Sequence, residues 1–163
     1  MRSLSKICGI VAAVAFMAGA PSVRAEDVAR NKCQPIGPNG FQKLSDHPDH
    51  GLDIVTASCR VATGPIDGGA ITAQYFWEWD KNVATLIYGG GVVRKGDAIL
   101  VYQYTAGTIT LDMTDGKITG HASSGKGRWA IATGAAASLA GKTFTWKSES
   151  TPTGDYETVW TAD

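Results

Sequence analysis

From Gly69 to the C-terminus the chain is cut into short runs of alternating apolar and polar residues, separated by glycine-bearing stretches. Ile71, Ala73, Tyr75, Trp77 and Trp79 share one parity ahead of Asp80-Lys81-Asn82. Ala98, Leu100, Tyr102 and Tyr104 share another ahead of Thr105-Ala106-Gly107, and Ile109, Leu111 and Met113 follow before Asp115-Gly116. Trp129 with Ile131, Phe144 with Trp146, and Tyr156 with Thr158 and Trp160 continue the series. Successive side chains of a strand point to opposite faces, so a period of two broken by turns every eight to twelve residues or so predicts an all-β domain. No stretch reads as a helix long enough to cover a sheet face, so the apolar sides must be buried against one another. Closing the sheet also removes exposed edges. The expected fold is a single small antiparallel β-barrel of about eight strands, preferred to a two-sheet sandwich.

The first 25 residues have a different character. Arg2 and Lys6 precede an uncharged apolar run from Ile7 to Ala20, and Val23-Arg24-Ala25 places small or tolerated residues at the positions a signal peptidase reads. The expectation is a secretory signal peptide cleaved after Ala25. A retained anchor would need about 20 apolar residues, and this run has 14. Cys8 lies at the start of the run rather than after it, which argues against lipid attachment. The expected organisation is therefore a leader over 1–25, a turn-rich N-terminal segment over 26–51 and a barrel over 52–163, exported to the periplasm or the exterior with no membrane span after cleavage.

The leader holds three of the 15 basic residues and none of the 15 acidic ones, leaving the remainder slightly acidic. Such a surface gives no electrostatic reason to seek nucleic acid or an anionic membrane. Two cysteines remain, Cys33 and Cys59. Neither has a neighbouring His or a Cys-x-x-Cys partner to lower its pKa, so a disulfide is expected rather than a reactive thiol. Glu26–Lys32 reads as a short helical turn, and Cys33–Gly51 as loop. Gly89-Gly90-Gly91 reads as the end of a strand from Val83. Ala135–Ala140, rich in the best helix former and stopped by Gly141, reads as one helical turn across a barrel end.

Little in the chain spells out chemistry. Asp46-His47-Pro48-Asp49-His50-Gly51-Leu52-Asp53 is the densest polar cluster, and His47 and His50 are weak candidate metal ligands. Their spacing around a proline is not the helical one that sets two ligands on one face, so a solvated loop is the plainer reading. His121 is the third histidine. Gly120–Gly127 misses the phosphate-loop pattern at its hydroxyl position and is followed by a strand, so it reads as a hairpin turn. No Gly-x-Ser-x-Gly elbow supports a serine hydrolase. Glu78 is a weak catalytic candidate. It would be a general acid or base if its face turned inward, but the five apolar residues on the opposite parity favour a solvated Glu78. No cofactor is expected.

The aromatic side chains carry the strongest functional signal. With five Trp and five Tyr in so short a chain, Tyr75, Trp77, Trp79, Tyr102, Tyr104, Trp129 and Trp146 are expected to surround one interior space that receives a flat apolar ligand.

Gly125-Lys126-Gly127-Arg128-Trp129 through Thr133-Gly134, continuing to Leu139-Ala140-Gly141-Lys142, resembles a signature near the end of allene oxide cyclase-like and dirigent-like barrels. The Thr110–Ile118 hairpin is in keeping. The resemblance implies a calycin-like eight-stranded barrel with an apolar interior, often a homo-oligomer, holding a hydrophobic small molecule. Its cyclase members use an interior glutamate and ordered water, and no local motif assigns that glutamate here. Three functions follow as expectations: a binder of a hydrophobic small molecule at the cell envelope, a cofactor-free cyclase or isomerase, or a structural, partner-binding envelope protein. A cavity with one buried carboxylate would favour the second and a filled interior the third.

Overall fold

The alternation resolves into nine strands in a computed structural model that describes residues 27–37, 40–44, 47–151 and 154–163. They are β1 (Asp27–Pro35), β2 (Gln42–Lys43), β3 (His50–Thr63), β4 (Ala70–Asp80), β5 (Val83–Lys95), β6 (Ala98–Thr114), β7 (Lys117–Ala132), β8 (Thr143–Ser150) and β9 (Tyr156–Ala162). Strands β3 to β9 form an antiparallel meander, and β1 lies between β9 and β3, closing an eight-stranded barrel with β2 as an extra strand on β3. The expected leader, Glu26 and Asp46 lie outside the described residues.

Strand β1 replaces the helical turn expected at Glu26–Lys32. Its own period is two: Ala29, Asn31 and Cys33 are buried while Arg30, Lys32 and Gln34 are exposed. Pairing on both sides satisfies backbone groups that β3 and β9 would otherwise present as bare edges. Cys33 and Cys59 stand opposite each other in the β1–β3 ladder and are joined by the expected disulfide.

Three glycine-rich stretches expected as turns lie inside continuous strands. Gly89-Gly90-Gly91 is the middle of β5, Gly120–Gly127 the middle of β7, and Thr105-Ala106-Gly107 a bulged part of β6. Here glycine makes room for rings. A methyl group on Gly89 would come within 2.8 Å of the Tyr75 ring, and one on Gly107 or Gly125 within 2.6 or 2.8 Å of Trp146. Glycine in a strand marks a close approach as often as a break. The true hairpin turn of this region is Asp115-Gly116, with φ of 51° and 72°, the left-handed pair that a two-residue turn requires.

The two ends of the barrel differ. At the end bearing the β3–β4 and β5–β6 turns, Val61, Ile71, Val93, Leu100, Trp129, Phe144 and Trp160 fill the interior. Ile66 of the β3–β4 connection and Ala136 and Leu139 of a 3₁₀ helix (Gly134–Leu139) cap it. That helix stands where a helical turn across a barrel end was expected. The opposite end, at the β4–β5, β6–β7 and β8–β9 connections, is open.

Candidate functional site

The inward parity of β4 carries Tyr75, Trp77 and Trp79 into the open end, where Tyr104 of β6 and Trp146 of β8 meet them. Together they wall a cup of about 250 Å³. Tyr104 is held between two rings, stacking on Tyr75 with centroids 5.5 Å apart and on Trp146 at 4.5 Å. The bulge after Tyr104 changes the inward parity of β6 and brings Ile109 and Leu111 into the wall. Tyr102 and Trp129 also point inward but lie below the cup. Trp129 packs on Phe144 at 4.5 Å, and Tyr102 bonds the Tyr75 hydroxyl at 3.0 Å. The seven rings expected around one space thus share one interior at two depths, five in the cup and two in its packed base.

The base of the cup is polar but uncharged. Burial pushes the phenols of Tyr75, Tyr102, Tyr104 and Tyr156 well up from their ordinary value, so they stay protonated. Tyr104 accepts a hydrogen bond from the Trp160 indole at 3.2 Å. Ser148 and Thr158, bonded to each other at 3.1 Å, add hydroxyls on the far wall.

Among the described residues, two ionisable groups line the cup besides the phenols: Asp53 on β3 and His121 on β7. These strands are four steps apart in either direction around the eight-stranded ring, so the two groups face each other across the opening. Burial raises the Asp53 carboxyl, opposed by hydrogen bonds from the Ile54 backbone and the Trp79 side chain. Its Oδ1 is shielded from solvent and meets no hydrogen-bond partner among the described residues. Burial also lowers His121, opposed by the charge of Asp112, so the imidazole favours its neutral form.

The weak candidates lie outside the cup. Glu78 is on the outer face of β4, where its carboxylate pairs with His50 at 3.1 Å. The rings of His47 and His50 stack at 5.1 Å, and among the described residues no three His, Cys, Asp or Glu side chains converge as metal ligands would. Asp53 was legible only as one polar residue of that cluster. The signal that singles it out is parity, since Asp53, Val55, Ala57, Cys59 and Val61 alternate along β3 and Cys59 must face inward toward Cys33.

Asp53 carries a stability cost that can be measured. An acid whose pKa is higher folded than unfolded makes the fold bind the proton more readily, so its contribution falls as pH rises from the unfolded value, near 3.8, past the folded one. Asp53→Asn should therefore unfold at higher urea concentration than the parent at pH 7. The gain should shrink toward zero at pH 3, and an equal or lower midpoint at pH 7 would contradict this assignment.

The fold and site define a class: a closed eight-stranded antiparallel barrel, filled at one end, with an aromatic cup at the other. No protein family, curated protein or solved structure matches this chain. Of what the resemblance to allene oxide cyclase-like barrels implied, the closed eight-stranded antiparallel architecture alone is seen. The disulfide fits an oxidising compartment. Among the described residues no helix is long and apolar enough to cross a membrane.

Proposed function

We propose that this protein binds a small, flat, apolar molecule in the open end of its barrel, in an oxidising compartment outside the cytoplasm. The observation that carries the reading is a cup of about 250 Å³ walled by three indoles and two phenols above a packed base. An apolar cavity of roughly 150 Å³ already admits benzene, so the cup suits a molecule of one or two rings. Ring faces at the wall supply dispersion and stacking without requiring a particular functional group. A scaffold role is disfavoured, because a purely structural barrel has no need to leave one end open. Titration with one- and two-ring aromatics should quench the tryptophan fluorescence saturably. Native mass spectrometry of protein from its own host should show a bound small molecule. Linear, non-saturating quenching together with a ligand-free native mass would refute the reading.

A second reading, a cofactor-free isomerase or cyclase, is favoured by the Asp53–His121 pair. A carboxyl raised by burial and an imidazole kept neutral, on opposite sides of a bound ring, suit proton removal at one edge and delivery at the other. The interior acid is then an aspartate on β3 rather than the glutamate that the resemblance implies. Turnover abolished in both Asp53→Asn and His121→Gln, with ligand affinity kept, would establish it.

A further inference from the structure

We propose that the ligand of the cup is a small aryl amine bound as its ammonium ion, with the nitrogen on Asp53 and the ring among the tryptophans. The inference rests on the apolar-ligand reading above and names its chemical class. Asp53 is the only carboxylate among the described residues lining the cup, and no Lys or Arg lines it. A carboxylate drawn from water toward apolar walls is costly unless a partner of opposite charge meets it. Among the described residues lining the cup there is none. His121 across the opening is held toward its neutral form by burial, and Glu78 and His50 satisfy each other on the outer face.

Trp79 and the Ile54 backbone already bond the carboxyl group, while Oδ1 is buried and unpartnered among the described residues. A ligand cation seated against Asp53 in the cup would balance its charge, whereas a neutral hydrocarbon of the same shape would leave the carboxylate uncompensated. An anionic ligand would meet like charge. Trp77 stands opposite Asp53 in the β3–β4 ladder, so an ammonium at Asp53 also sits beside an indole, where the ring quadrupole attracts a cation.

Calorimetric titration of the full chain with matched triads tests this. One triad is phenethylamine, propylbenzene and phenylacetate, and the other is tryptamine, 3-propylindole and indole-3-acetate. The amine should bind at least ~10-fold more tightly than its hydrocarbon isostere in at least one triad, with the carboxylate weakest, as expected for a charge-assisted hydrogen bond. Asp53→Asn should erase that preference, with its melting temperature confirming the fold. Binding of the hydrocarbons without a preference for the amine overturns the amine assignment alone. A preference that survives in Asp53→Asn overturns it equally. If no member of either triad binds, the apolar-cup reading falls as well.

Discussion

Replacing Trp129 with alanine should cost about 3–5 kcal/mol of folding stability, read as a lower denaturation midpoint with an unchanged slope. Trp129 is 0 % exposed and stacks on Phe144, which is equally buried and packs in turn against Trp160. Removing the indole leaves a void in the sealed end of the barrel, where capping residues and neighbouring strands restrict collapse. Trp77 provides the matched contrast. It is nearly as inaccessible, at 4 %, yet it lines the cup, so part of its ring already faces space rather than packed atoms. Trp77→Ala should lose clearly less stability than Trp129→Ala and most of the affinity for flat ligands. Equal losses of stability in the two variants would mean that the open end is packed in solution and that the cup does not persist.

The second large effect concerns the disulfide. Substituting both Cys33 and Cys59 with serine should destabilise the fold by about 3 kcal/mol on the loop-entropy estimate for a separation of 26 residues. The link spans β1 and β3, the pair that closes the ring, so its loss should loosen closure before the meander. Hydrogen exchange should rise first in the β1 amides, and alkylation of the parent without reductant should find no thiol at either position. A loss below about 1 kcal/mol would place the stability of closure in β1–β9 pairing instead.

Much of the architecture was legible from parity. The odd positions of β4 point inward as their apolar residues required, and Glu78 on the even face is solvated and paired outside. Strand extent was not legible, because glycine carries two meanings. In β5, β6 and β7 it looks like punctuation, but its role is to let Tyr75 and Trp146 lie flat across neighbouring strands. That role depends on which strand is adjacent, which no local pattern contains. Strand β1 was missed for a related reason: Asn31 and three outward polar side chains hide an alternation whose value appears only when β3 and β9 flank it. The site was half legible. Aromatic residues announce themselves by type, whereas Asp53 looks like part of a polar loop until the register of β3 places it opposite Trp77.

Closure through β1 also governs the order in which the barrel can be completed. The strand nearest the start of the described chain is hydrogen-bonded to the last, Tyr156–Ala162, while every other neighbouring pair in the meander is local. Hairpins β3 through β8 can form one after another, but the ring cannot shut until the seven residues of β9 arrive. Contacts of such long sequence separation form late. In the interval β3 and then the growing end of the sheet are open edges, the surfaces on which strands from other molecules pair. Early oxidation of Cys33 with Cys59 would hold β1 on β3, so that the edge waiting for β9 is β1 already in register. Thiol oxidation thereby presets the strand on which the last one closes the ring, a service separate from the stability it lends the finished barrel.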